Sequence, residues 1–190
     1  MKYKDLSMKP VESHENYNWK VKHRLNARLA KGKVVDLGCG WFTNPYLVGA
    51  VGVDLEKIKC PKNYDKFLQA DLNGKIPLAD NSFDTVIASG VIEHLYNYHG
   101  FLMECRRILK PGGTLVINTP NKTINRLIAR KNMLHLQEWT IPEFKDLLSH
   151  FFDYKRAYGL VLILPLIRIG INLKDFPYLS HDIVYVCKKR

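Results

Sequence analysis

Three aspartates and a few glycines carry the residue types that could do chemistry here. Asp36, Asp54 and Asp71 each lie at the end of a short apolar run, and Gly38 and Gly40 follow Asp36 two residues apart. Ser89-Gly90 ends a fourth run, Phe83 to Ala88. A glycine turn admits positive φ and lets the backbone come close to a ligand. Carboxylates suit a partner with hydroxyls, amines or positive charge and are poor hosts for a pyrophosphate. No Gly-Lys-Ser/Thr element accompanies the turn, which excludes a phosphate-cradling loop of that kind. Asp54 can accept hydrogen bonds from both hydroxyls of a ribose, and Asp71 from an exocyclic amine. Singly, Asp36 or Asp71 reads as well as a turn or capping aspartate; the set together argues for a ligand.

Two histidines have a context that suits proton transfer. His94 lies just beyond the fourth run, after Glu93, and an imidazole titrates near neutral pH. It is the first candidate for a general base. The plainer role is to cap or shape the following turn. His135 is the second candidate, in a Lys-, Arg- and Asn-rich excursion placed to cover a substrate. His14, His23, His99, His150 and His181 have no supporting context.

The elements that must position these residues can be read from periodicity. Trp19, Val21, Leu25 and Leu29 predict a helix over Asn18 to Ala30, ended by Gly32. Strands are predicted at Val34–Leu37, Ala50–Leu55, Phe67–Ala70, Phe83–Ala88, Thr114–Thr119, Phe152–Ala157 and Asp182–Cys187. Lys57 to Tyr64 reads as loop. Only eleven residues separate Gly40 from Gly52, room for one or two helical turns around Pro45 to Val48. Tyr98 to Leu109 is amphipathic, and Lys110-Pro-Gly-Gly is expected to stop it and turn the chain. Thr140 and Glu143 have the spacing of a capping box that opens a helix to His150. The alternation predicts an α/β fold, a three-layer, mostly parallel sheet with an antiparallel last strand. In such a sheet the carboxyl ends of the strands share one edge, where ligands bind.

The stretch from Val34 to Asn121 resembles the class I S-adenosylmethionine (SAM)-dependent methyltransferases. VVDLGCG matches their glycine motif, GVDLE their ribose-binding strand end and QADL their adenine-side acid. IPLADNSFDTVIASGVIEHL is similar to the fourth-strand region of the group that includes the ubiquinone-biosynthesis methyltransferases, and LKPGGTLVINTPN to the last common motif. HLQEWTIPEFKDLL looks like the segment before their sixth strand. More loosely, the short crossover and PLADNSFD resemble small methyltransferases of glycan or cell-envelope pathways. The resemblance implies a Rossmann-like fold and SAM as cofactor. By position it implies that Asp36, Gly38, Cys39 and Gly40 border the methionine part. Asp54 and Leu55 would hold the ribose, Asp71 and Leu72 flank the adenine, and Ser89 and Gly90 line the methionyl side.

Two departures stand out. The third glycine of the first motif is absent, and Trp41-Phe42 follows Gly40, so Thr43, Asn44 or a backbone amide is expected to help hold the methionine carboxylate. Some ubiquinone-type relatives bind a metal through two acids and a histidine; here Gly90 stands in place of one acid, so no metal is expected.

With 190 residues, one domain is expected: an arm and helix at 1–32, a cofactor core at 33–120 and a substrate-side region at 121–190. No leader-like stretch is seen at the start, and Cys39, Cys60, Cys105 and Cys187 form no CxxC pair. A reduced, cytoplasmic setting is expected. The apolar run Gly159–Ile171 has 13 residues, too short to span a bilayer, and reads as core or lid, with peripheral membrane contact as an alternative. Tyr17, Trp19, Trp41, Phe42 and Trp139 could wall a pocket, though packing is the commoner use of such aromatics.

The net charge is +11, and residues 1–33 hold nine Lys/Arg against three acids. Such a balance fits an acidic partner or simply a solvated basic face. The expected acceptor is a small molecule, glycan or lipid-linked compound, methylated at oxygen. An RNA-directed enzyme using the basic arm is the alternative; Ala88-Ser89-Gly90-Val91 lacks the Asn/Asp-Pro-Pro-aromatic motif of base N-methylation. A non-catalytic SAM-binding scaffold is a further alternative. A nicotinamide dinucleotide site is disfavoured by the missing third glycine and the early acid. Oligomeric state is not encoded in any feature found.

Overall fold

The eight residues from Lys33 to Gly40 pass through the middle of the sheet and out at the carboxyl end of its strands. The computed structural model describes residues 17–40, 43–127, 133–159 and 180–190. In chain order the elements are α1 (Tyr17–Leu29), β1 (Val34–Leu37), β2 (Ala50–Asp54), β3 (Tyr64–Gln69), β4 (Phe83–Ser89), α2 (Tyr98–Ile108), β5 (Leu109–Pro120), α3 (Lys122–Leu127), α4 (Ile141–Ser149), β6 (Asp153–Gly159) and β7 (Asp182–Lys188). A single 3₁₀ turn, Ile92–His94, follows β4. The strands form one sheet in the order β3-β2-β1-β4-β5-β7-β6. The pairs from β3 through β5 are parallel, and β7 runs antiparallel to both β5 and β6. This is the expected α/β class. The direction of strand addition reverses between β1 and β4, and that switch point opens the crevice in which parallel sheets bind ligands.

Strand alternation assigns the two faces. Val35 and Leu37 of β1 join the larger core, with Phe101, Leu102, Cys105 and Ile108 of α2 and Phe144 and Leu148 of α4. Val34 joins a smaller core on the other face, against Leu25 and Leu29 of α1, Leu47 and Tyr64. Asp36 alternates with Val35 and Leu37, so its carboxyl faces the α1 side. The helix starts are locally encoded. The Asn97 side chain accepts from Gly100 N at α2, and α4 has the full expected box, with Thr140 N donating to Glu143 Oε2 at 2.8 Å and Glu143 N to Thr140 Oγ1 at 3.4 Å.

Three local readings are corrected. The crossover after Gly40 has no helical turn among its described residues. Asn44 builds it instead: Tyr46 N donates to Asn44 Oδ1 at 3.0 Å, and Leu47 N to Asn44 O at 3.3 Å. Strand β3 starts at Tyr64 rather than Phe67. Tyr64 reads in the sequence as the end of the preceding loop; Asp65 and Lys66 follow it in the strand, and exposed charges are what an edge strand uses to avoid further pairing. Helix α2 stops at Ile108, as expected, but Lys110–Gly113 is no separate turn before the strand: it bulges within β5. Leu109 pairs with Phe83, and the register then jumps to Thr114 opposite Thr85. Gly112, at φ +71°, makes that bulge. The arm at 1–16, Trp41-Phe42 and residues 160–171 of the apolar run lie outside the described residues.

Candidate active site

The carboxyl ends of β1, β2 and β4 bring the expected glycines and two of the three aspartates together. Gly38 turns at φ +69°, and a Cβ there would meet Val91 Cγ2 at 2.2 Å. Only glycine fits that turn. Its N–H donates to Val53 O of β2 at 2.7 Å, which ties the two strand ends. Gly40 is also left-handed, and a Cβ on it would stand 3.2 Å from Asp54 Oδ2. The turn therefore runs directly against Asp54. The Asp54 carboxyl accepts from Glu56 N at 2.9 Å. Partial burial holds its pKa above the ordinary aspartate value, against the pull of backbone N–H groups at Glu56, Gly40 and Leu55. Cys39 is buried, with its thiol near Val53 O at 3.9 Å. Leu55 is exposed.

Asp36 is more enclosed. Tyr64 Oη donates to its Oδ2 at 2.6 Å, and Asn44 N donates to Tyr64 Oη at 3.0 Å. Burial pushes the Asp36 carboxyl up to about 6, with the Tyr64 hydrogen bond pulling the other way. Asp36 therefore shapes the floor of the crevice and braces the crossover. Asp71 lies further out and is exposed. Its Oδ1 accepts from Asn73 N at 2.8 Å and Asn73 Nδ2 at 3.0 Å, the geometry of an Asx turn. Leu72 is buried in the larger core.

Helix α1 supplies two residues that periodicity alone does not single out. Asn26 Nδ2 donates to Ser89 Oγ at 3.3 Å. Four residues earlier, Lys22 Nζ reaches the turn after β4: a Cβ on Gly90 would lie 3.9 Å from it and 3.7 Å from Glu93 Oε1. Lys22 is the positive charge acting on both Asp36 and Glu93.

The excursion after β5 folds back over the end of β4. Leu136 N and Gln137 N donate to Glu93 O at 2.8 and 3.2 Å. The His94 ring meets Leu134 O through Nδ1 at 3.0 Å. These bonds bring His135 edge-on to His94, with ring centroids 5.0 Å apart. His135 Nδ1 pairs with Glu138 Oε1 at 2.5 Å, and Asn125 Nδ2 donates to the same oxygen at 2.9 Å. Both candidate histidines thus occupy one place. Burial lowers the pKa of His94. Trp139 is core, packed on Tyr98 and Phe144.

Among the described residues, buried polar atoms without a hydrogen-bond partner cluster at these strand ends: Asn26 Oδ1, Glu93 Oε2, Asn118 Oδ1 and Thr119 Oγ1. Thr119 lies beside the Glu93 carboxyl, but neither orphan atom makes a well-formed bond. Such groups are normally satisfied, so they point to a polar ligand or water in the crevice. The acids, one lysine and these orphans fit a ligand with ribose hydroxyls, an ammonium, a carboxylate and a cationic sulfur.

Residues 35–117 match the family model described as a methyltransferase domain. A probable SAM-dependent methyltransferase of Mycolicibacterium smegmatis is 31% identical over 157 residues, covering 74% of this chain and 60% of that protein. The human mitochondrial ubiquinone biosynthesis O-methyltransferase is 33% identical over 118 residues, covering 53% of this chain and 32% of its own length. The chain thus spans about 60% of the first relative and about a third of the second. A solved complex of the Haloferax volcanii Trm112 methyltransferase activator with a methyltransferase has a chain that superposes at a TM-score of 0.68, with 16% identity over 93% of this chain and 91% of that one.

Proposed function

We propose that this chain is a SAM-dependent methyltransferase and that it transfers a methyl group from SAM to a hydroxyl of a small-molecule, glycan or lipid-linked acceptor. The observation that carries the proposal is the placement of Asp54 at the end of β2, against the backbone of Gly40. There it can take both ribose hydroxyls while the turn at Gly38, Cys39 and Gly40 passes under the methionine part. Asp71 and Leu72 flank the adenine, Leu72 through its backbone. Ser89 and Gly90 line the methionyl side. Lys22 pairs with the methionine carboxylate, the work that the short crossover leaves undone.

Bound SAM would supply the reactive carbon: the acceptor oxygen would take the methyl, its proton would pass to solvent, and the C–S bonding pair would stay on sulfur. The protein's part is alignment and exclusion of water. His94 and His135 stand beyond Gly90, where the acceptor hydroxyl meets the methyl. Glu138 and Asn125 fix the orientation of His135. Met133, Leu134 and Leu136, which flank His135 in the chain, are exposed. That apolar stretch favours a lipid-linked acceptor, and the oxygen chemistry named for the human relative favours a hydroxyl.

Calorimetry with SAM, NAD and 5′-methylthioadenosine tests the cofactor assignment. The wild-type chain is expected to bind SAM and not NAD. Asp54→Asn should weaken SAM at least tenfold, the scale of one charge-assisted hydrogen bond at about 1.5–3 kcal/mol. Lys22→Ala should weaken SAM similarly yet leave 5′-methylthioadenosine, which lacks the carboxylate, within about twofold. Binding of NAD but not SAM would overturn the proposal. Equal losses for both nucleosides in Lys22→Ala would remove Lys22 from the carboxylate.

A further inference from the structure

We propose that Glu93, His94 and His135 form a divalent transition-metal site of the two-histidine, one-carboxylate type. One ligand atom from each lies within 4.8 Å of the other two, and no other such group occurs among the described residues. Nitrogen and oxygen bonds to zinc of roughly 2.0–2.2 Å put neighbouring ligands about 3.3 Å apart.

Three independent features of the surroundings agree with a cation. First, Glu93 is 2% exposed and its Oε2 has no hydrogen-bond partner. A buried carboxylate in that condition is costly unless it is paired or coordinates a metal. Lys22 is already shared with Asp36. Second, both imidazoles are held as metal-bound histidines are. His94 is fixed through Nδ1 to a backbone carbonyl, Leu134 O, and His135 through Nδ1 to the Glu138 carboxylate. Coordination through Nε2 retains both bonds, and such outer partners fix the orientation of the ring. Third, the loop carrying His135 is bonded to the main chain of Glu93 at two points. Two ligands on a 3₁₀ turn and a third 41 positions later are thereby held as one unit.

The donor set selects the metal. Gly90 removes the second acid that an oxygen-rich Mg²⁺ site would use, and the sequence alone argued against a metal for that reason. His135 fills the vacancy with nitrogen. Two imidazoles and one carboxylate favour Zn²⁺, Co²⁺ or Fe²⁺ over Mg²⁺ or Ca²⁺. A dication there supplies Lewis-acid help for the loss of a proton from an acceptor hydroxyl. That chemical role rests on the methyl-transfer reading; the existence of the site does not.

The test uses the full chain stripped with a chelator and titrated with Co²⁺, followed by visible absorption and by metal content per chain. One Co²⁺ per chain is expected, with a low-symmetry visible spectrum, displaced by one equivalent of Zn²⁺ and not by millimolar Mg²⁺. His135→Ala and Glu93→Gln should each weaken Co²⁺ at least a hundredfold. His150→Ala, an exposed histidine outside the cluster, should change nothing. Circular dichroism and SAM calorimetry on each variant verify the fold. Unchanged Co²⁺ binding in folded His135→Ala, one-for-one displacement by Mg²⁺, or no binding by wild type would overturn the site. SAM binding without Co²⁺ binding refutes the metal alone; Co²⁺ binding without SAM binding refutes the methyl-transfer reading and leaves the site standing.

Discussion

His23 faces inward from α1, and its Nδ1 has no hydrogen-bond partner among the described residues. Burial first, and the neighbouring Lys22 second, push its pKa from the ordinary 6.5 down to about 3. The folded chain holds it neutral, while the unfolded chain takes up a proton as pH falls below 6.5. Its contribution to stability is therefore present above that pH and lost on acidification, by about 2 kcal/mol at pH 5. Asp36 acts in the opposite sense. Its folded pKa is raised to about 6, so its contribution is fully present below the ordinary aspartate value and is lost as pH rises through about 6. His23→Phe should lose about 2 kcal/mol less than wild type between pH 8 and pH 5, measured by urea unfolding. Equal losses in the two proteins would show that His23 is not the acid-labile group. At this scale legibility in the sequence depended on position along a strand. Asp54 could be placed because it ends an apolar run, and its neighbour Gly40 follows another. Lys22 could not, because α1 carries Lys20, Lys22, Arg24 and Arg28 and the sequence does not say which one reaches the sheet. His94 and His135 were each legible as candidates, but their contact was not, since it depends on hydrogen bonds between main-chain segments.

The crossover from β1 to β2 depends on two asparagines where a helix is the usual connector. Asn44 is buried, and its Nδ2 donates to His23 O at 2.9 Å. Asn63 Nδ2 donates to Asn44 O at 3.0 Å and to Leu47 O at 2.8 Å. One side chain thus joins α1 to the crossover, and the other joins the crossover to the approach to β3. Asn44→Ala would leave His23 O and Tyr46 N without these partners. The expected cost is about 2 kcal/mol, with a several-fold loss of SAM affinity, because the same loop braces Tyr64 and Asp36. A denaturation midpoint and a calorimetric titration check both; a change below about 0.5 kcal/mol would show that Asn63 alone holds the loop. Elements set by local chemistry were readable from few residues, as Thr140 and Glu143 at the start of α4 show. Those set by distant partners were not. The Pro111-Gly112-Gly113 bulge stays in the sheet because Gly112 N donates to Lys189 O at 3.1 Å and Lys189 N to Gly113 O at 2.9 Å. Nothing near residue 112 announces a partner 77 positions later.

At the scale of the molecule, protection should follow sheet order. Strands β1, β4 and β5 lie between partners on both sides, whereas β3 and β6 are edges. Native-state hydrogen exchange should be slowest at Val35, Val86 and Val116, and at least a hundredfold faster in β3 and β6. Uniform protection across the seven strands would contradict this. The two faces also differ, since the α1 face buries far fewer apolar side chains than the face carrying α2 and α4. Among the described helices none is long and apolar enough to cross a membrane. The strand order also dictates a sequence of events in time. During synthesis β6 leaves the ribosome before β7, yet β7 is its sole neighbour in the sheet and lies between it and β5. The half carrying β1 to β4 can pair as it emerges. β6 must wait beside a gap one strand wide, and the arrival of β7 closes it from both sides at once.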